Sequence, residues 1–203
     1  MTFTDHSVVV MEWSMTTKKA GAVGRRGRNN LTEETHFFVT ATIENFKPVF
    51  SDEQCCQILM DNLSHYKNKY QFKILGYVIM PTHFHWIAAI NKEKGTISDI
   101  MRDVKKYSAW EIMDYLEMRA GKKFVISDSS LKDQNRQLWK KRFDDEVIRN
   151  ENMFWAKLNY IHNNPVKAGL VERDIDYKFS SARNYLLDDY SVMWVDIYPE
   201  YHT

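Results

Sequence analysis

Two histidines separated by a single residue, His83 and His85, have the types and spacing to hold one metal ion. Residues 75–79 (LGYVI) are β-branched and aromatic and read as a buried strand, which turns at Pro81 and Thr82 into a second strand carrying the histidines. Strand side chains alternate between faces, so His83 and His85 project together, about 7 Å apart along the strand, while Phe84 and Trp86 point the other way. Seven histidines in 203 residues give about 0.24 such triplets by chance, so the pair needs partners before it means chemistry. Candidate partners lie late in the chain, where Tyr160 and Asn164 precede Pro165. Phe154, Trp155, Leu158 and Ile161 recur at helical spacing and define a buried stripe. At about 100° per residue, Tyr160 falls about 150° from the centre of that stripe and Asn164 about 40° from Tyr160. A helix laid over the histidines would bring two imidazoles, an amide and a phenol together.

Such a set points to phosphoryl chemistry. A divalent ion on two imidazoles and an amide oxygen keeps open positions and can polarise a phosphodiester through a non-bridging oxygen. A phenol with an ordinary pKa of about 10 is a poor nucleophile until its target is activated in that way. The product, a phosphotyrosine, retains the energy of the phosphodiester, and rejoining needs no nucleotide. In keeping with this, Gly21-x-x-Gly24-x-x-Gly27 lacks the Lys-Ser/Thr of a nucleotide-phosphate loop. Tyr107 is a rival nucleophile, being nearer the histidines in sequence and preceded by Lys105 and Lys106. It stands three positions after Val104 in a predicted helix whose buried stripe includes Val104, which favours packing and leaves Tyr160 as the preferred candidate. Water acting as nucleophile, and a purely structural zinc site, are the other chemistries open to a histidine pair.

The elements that must position these groups follow from periodicity. Residues 36–43 (HFFVTATI) predict a first strand. Ser51 or Asp52 caps a helix carrying Ile58, Leu59, Leu63 and Tyr66. The histidine hairpin follows, and Thr96 then caps a long helix to about Arg119, closed by Gly121, with Ile97, Ile100, Met101 and Val104 inward. Arg102, Lys105 and Lys106 form a basic stripe on another face of that helix. Residues 127–137 read as a polar loop, and residues 151–163 as a further helix stopped by Pro165. This order predicts an α+β fold: a ferredoxin-like or RNA-recognition-type antiparallel sheet with helices packed on one face.

Composition narrows the setting. The formal net charge is +1, from 28 Lys and Arg against 27 Asp and Glu, so any nucleic-acid surface must be local. Lys140, Lys141 and Arg142 between Trp139 and Phe143 offer a second basic patch, with aromatics suited to stacking or to the core. Residues 18–30 are basic and glycine-containing and read as a flexible arm that includes Arg25 and Arg26. Cys55 and Cys56 are adjacent, poorly placed to bridge one another and without metal-ligand spacing, which fits a reducing compartment. No signal peptide or membrane span is legible. The expected organisation is a basic arm over 1–30, one domain over 31–185 and a C-terminal tail over 186–203.

Read together, Tyr77-Val-Ile-Met-Pro-Thr-His83-Phe-His85 and Tyr160-Ile-His-Asn-Asn164-Pro-Val-Lys-Ala-Gly-Leu-Val171 resemble the REP-associated tyrosine transposases, bacterial members of the HUH single-strand endonuclease superfamily. Leu138-Trp-Lys-Lys-Arg-Phe143 and Asp176-Tyr-Lys-Phe-Ser-Ser-Ala-Arg-Asn-Tyr185 extend the likeness, so that it spans about 36–185 in the family's order. The resemblance implies an HUH palm in which His83 and His85 bind the metal, Asn164 is the third ligand and Tyr160 is the nucleophile. It implies Mg²⁺ or Mn²⁺, cleavage of single-stranded DNA beside hairpins, a 5′-phosphotyrosine and a free 3′-hydroxyl. Arg25, Arg26, Arg102, Lys105, Lys106, Lys140, Lys141 and Arg142 are then the expected DNA contacts. The implied location is the bacterial cytoplasm, on the nucleoid when DNA is bound, with monomer and homodimer both open. An alternative is a hairpin-binding regulator that no longer cuts. Thr82, where relatives often carry Asn, and Trp86, where they carry a smaller aliphatic residue, depart from the family pattern.

Overall fold

The computed structural model describes residues 35–122 and 137–198. Strand β1 (His36–Thr42) leads through short 3-10 turns to helix α1 (Glu53–Tyr70), then the hairpin of β2 (Lys73–Met80) and β3 (His83–Ala89), helix α2 (Ile97–Ala120), strand β4 (Asp144–Val147), helix α3 (Glu151–Lys167) and the short helix α4 (Ala182–Leu187). The sheet order is β2-β3-β1-β4, every neighbouring pair antiparallel. The expected α+β class and antiparallel sheet are thus present, in the strand order of a ferredoxin-like palm.

Local chemistry explains the boundaries. Asp52 accepts from the Gln54 N–H at the start of α1. Thr96 and Asp99 form a reciprocal capping box on α2, which Gly121 ends in the left-handed region at φ 63°. Cys55 and Cys56 are free thiols in the core face of α1. Burial pushes both up to about 12, which leaves them inert at neutral pH.

The two faces of the sheet are covered differently. Phe84 and Trp86 point toward the α1 and α2 layer; Trp139 edges against Phe84 and its indole N–H donates to Ser108 of α2. On the histidine face, Phe38, Leu75, Val78 and Ile87 pack with Phe154, Leu158 and Ile161 of α3. The one-sided helical layer expected for the palm is therefore α1 with α2, and α3 adds cover to the opposite side. Gly76 allows α3 to sit close, because a Cβ there would lie 2.5 Å from Leu158 Cδ1.

Strand β2 is an edge, and the chain after α3 covers it. Ile79 N–H donates to the Phe179 carbonyl, Ser181 N–H to the Tyr77 carbonyl, and the Tyr177 and Tyr185 hydroxyls to the carbonyls of Ile79 and Leu75. Residues 186–198, set apart above as a tail, continue along this edge: Asp196 exchanges hydrogen bonds with Ile74, and Met193 and Val195 are buried. Pro165 does not stop α3, which continues to Lys167. A proline in the last turn forfeits one intrahelical bond and the helix ends just beyond it, where Gly169 adopts φ 68°. The basic arm over 1–30, including Arg25 and Arg26, and residues 127–136 of the expected loop lie outside the described residues.

Candidate active site

His83 and His85 occupy β3 at positions paired with Thr42 and Thr40 of β1. Their rings stand 4.7 Å apart, centroid to centroid, at 77°. Each Nδ1 is held by a threonine: Thr82 Oγ1 lies 2.9 Å from that of His83, and Thr40 Oγ1 lies 2.8 Å from that of His85. With the proton on Nδ1, each imidazole donates to its threonine and keeps the Nε2 lone pair for another partner. His85 is 4 % exposed, and its Nε2 is buried without a hydrogen-bond partner. Burial, with lesser contributions from His83 and Lys157, pushes His85 down to about 3, and burial alone lowers His83. Both rings are neutral at physiological pH, as metal ligation requires.

A buried imidazole nitrogen with no partner, in a pair oriented by hydroxyls, fits a divalent cation. Among the described residues no group of three His, Cys, Asp or Glu side chains is placed so that it could hold a metal ion. An ion here must complete its shell from neutral protein oxygens, water or substrate. Asn164, the third ligand that the family resemblance implies, is half-buried on α3 one turn beyond Tyr160.

Tyr160 comes to this same face. Its ring lies 5.3 Å from that of His85 and 5.9 Å from that of Phe38, edge-on to both, and the residue stays 42 % exposed. Phe38 stacks on His85 at 5.4 Å and so forms a shared apolar wall. Tyr107 is placed elsewhere, on α2 beyond the opposite face of the sheet, with its ring against Tyr66.

Four residues around the pair escaped the sequence reading. Thr40 reaches His85 only through strand register, and Thr82 stood out as a turn residue and a departure from the family pattern, not as a partner of His83. Lys157 and Lys167 flank the phenol: Lys157 Nζ sits 4.7 Å over the Phe38 ring and pairs with Glu146, and Lys167 Nζ is 6.0 Å from the Tyr160 ring centroid. Positions three before and seven after Tyr160 share its side of a helix, which was the available signal.

The candidate DNA contacts within the described residues collect on the α2 side. Arg102, Lys105, Lys106, Lys140 and Lys141 line one groove between α2 and residues 137–143, with Arg142 exposed beside it. Two of them already have partners within the protein. Arg102 pairs with Asp99 and Asp103, while Lys105 donates to the Lys140 and Lys141 carbonyls and is lowered to about 8 by burial. Trp139, between core and stacking on sequence grounds, is core.

Residues 33–164 match the family described as "Transposase IS200 like". The chain belongs to that family. As an IS200-like transposase it is a DNA-processing enzyme. The REP-associated tyrosine transposase of Escherichia coli (strain K12) is 26% identical to it over 145 residues, covering 71% of this chain and 74% of that protein. The structure of a REP-associated tyrosine transposase bound to a REP hairpin superposes with a TM-score of 0.58 at 23% identity, covering 90% of this chain and 92% of that one. That likeness shows the fold. Among the described residues of this transposase, no helix is long and apolar enough to cross a membrane.

Proposed function

We propose that this transposase cleaves and rejoins single-stranded DNA beside hairpin-forming repeats through a 5′-phosphotyrosine on Tyr160. The observation that carries the reading is the 5.3 Å approach of the Tyr160 ring to His85, which joins a late helix to an early hairpin. The likeness to proteins named for REP repeats, one of them bound to a REP hairpin, supports the substrate. His83 and His85 through Nε2 and Asn164 through its amide oxygen would hold Mg²⁺ or Mn²⁺. The ion supplies Lewis-acid polarisation of a non-bridging phosphate oxygen.

The residues of the chain do the rest. Tyr160 Oη attacks phosphorus; the bond from phosphorus to the 3′-oxygen breaks, the phenol gives up its proton and the departing 3′-oxygen gains one. A new tyrosyl ester therefore replaces the old sugar ester, and reversal by another 3′-hydroxyl rejoins a strand without a nucleotide. The Phe38 wall keeps water from one side of the phenol, and Lys157 and Lys167 favour a phosphate drawn up to it. Lys106, Lys140, Lys141 and Arg142 are phosphate contacts further along the strand. The site works in the cytoplasm, where such repeats reside.

The test is a denaturing gel of purified protein with labelled hairpin-bearing single-stranded DNA and Mn²⁺ or Mg²⁺. A covalent adduct forms with the native chain and with Tyr107→Phe, and vanishes with Tyr160→Phe while binding persists. An adduct that survives Tyr160→Phe overturns the assignment, and a cut strand without any adduct points to water as the nucleophile.

A further inference from the structure

The groove on the α2 side concentrates charge that the whole chain lacks. Five of its fourteen lining residues are basic and none is acidic, in a protein whose formal net charge is +1. One wall is a helical row at spacings of four, Arg102, Lys106 and Trp110; the other is the segment carrying Lys140, Lys141 and Phe143. Lys105 lies between them, its ammonium 2.7 Å from the Lys140 carbonyl and 3.2 Å from that of Lys141, so the second wall is tied to α2. Trp110 is 60 % exposed. An indole left in water beside exposed lysines is an expensive arrangement for a surface with no ligand.

We propose that this groove is a subsite for the unpaired flank of the DNA, in which a base stacks on Trp110 while Lys106 and Lys141 hold the adjoining phosphates. Stacking on an indole requires an exposed base face, which a hairpin stem does not offer, so the occupant is single-stranded. The space, about 480 Å³, accommodates a nucleobase. Its position also suits a strand leaving the histidine site. Lys140 N–H donates to the Thr42 carbonyl at 2.8 Å, and Thr42 pairs with His83, so the groove wall stands two strand spacings, about 10 Å, from that histidine. The flank crosses the end of β1 to reach it. This inference rests on the single-strand reading of the active site and adds where the strand beyond the reacting phosphate goes.

The experiment compares two oligonucleotides, a hairpin with long single-stranded flanks and the same hairpin trimmed to its stem, by fluorescence anisotropy with the full chain. Trp110→Ala weakens binding of the flanked DNA about tenfold and leaves the trimmed hairpin unchanged; Trp110→Phe recovers most of the loss. The Lys106→Ala, Lys141→Ala double variant lowers the salt slope for flanked DNA by about 1.4, as loss of two single-strand phosphate contacts requires. Native affinity of both variants for the flanked DNA overturns the subsite. So does an equal loss on the trimmed hairpin, which would make the groove a stem contact. Adduct formation by the native chain reports separately on Tyr160: adduct with no Trp110 effect refutes the subsite alone, and a Trp110 effect with no adduct refutes the transesterase reading alone.

Discussion

Replacing Ser181 by alanine tests how the helix that carries Tyr160 is held in place. The Ser181 side chain is fully buried and joins two elements through one oxygen. It accepts from the Tyr77 N–H of β2 at 2.9 Å and lies 2.9 Å from Nε2 of His162 on α3. Burial brings His162 down to about 4, so the ring is neutral and its Nε2 shares one hydrogen bond with the serine hydroxyl. Alanine leaves a buried amide and a buried imidazole nitrogen without partners. Each orphan costs about 1–3 kcal/mol, so the loss should be about 2–4 kcal/mol once local relaxation is allowed. For a chain of this length that lowers Tm by about 5–15 °C. Pairing Ser181→Ala with His162→Leu removes one orphan and should recover about 1 kcal/mol in a double-mutant cycle. Because the clamp ties α3 to the histidine hairpin, adduct formation below Tm should fall by about tenfold or more, with hairpin affinity nearly native. Thermal unfolding and single-turnover adduct formation are the assays. A Tm within about 1 °C of the native value would refute the clamp.

Three further perturbations bear on the same site. Gly76→Ala drives a Cβ to 2.5 Å from Leu158 Cδ1 and should cost about 1–3 kcal/mol by overpacking, partly recovered by Leu158→Val; a neutral effect in urea unfolding would show that α3 is not seated on β2 in this way. Thr40→Val removes the hydroxyl 2.8 Å from His85 Nδ1 and should weaken Mn²⁺ binding about 10- to 100-fold in titration calorimetry, whereas native affinity would dissociate that hydroxyl from metal ligation. Acid should destabilise the fold through its neutral histidines. His162 and His85, lowered to about 4 and about 3, lie below the unfolded value of about 6.5, so the unfolded chain binds more protons under that pH. Their stabilisation is complete above about pH 6.5 and is lost as pH falls toward the folded values, His162 accounting for about 3 kcal/mol. Equal urea midpoints at about pH 7 and about pH 5 would contradict this, and His162→Gln should flatten the slope.

What could be read along the chain depended on whether a residue's neighbours were local. The shared face of His83 and His85 is a property of strand alternation, and the caps at Asp52 and Thr96 are properties of a few adjacent residues, so both were legible. Strand β4 was not. Its sequence, DDEV, carries three acids and buries only Val147, because an edge strand needs its backbone rather than its side chains to join the sheet. The bulge and glycine at Ile74 to Gly76, the coverage of β2 by residues 177–196 and the threonine on His85 are all meetings of distant segments. No periodicity announces them.

The position of Tyr160 shows where the boundary falls. Helical angles placed the phenol off the buried stripe of α3, but an angle on a helix says nothing about which sheet face the helix occupies. A ferredoxin-like palm directs its two crossover helices to one face, so the histidines, pointing the other way, would look into water if the palm were alone. What brings a phenol to them is a third helix added after β4, seated by the missing side chain of Gly76 and clamped by Ser181. The features that make the site are thus a strand position with nothing to get in the way and a serine whose two partners lie 104 residues before it and 19 residues before it. Neither would be chosen as functional from its residue type. If the placement of Tyr160 is a packing outcome of this kind, variants at Gly76 and Ser181 should uncouple adduct formation from DNA binding as cleanly as variants at the proposed metal ligands.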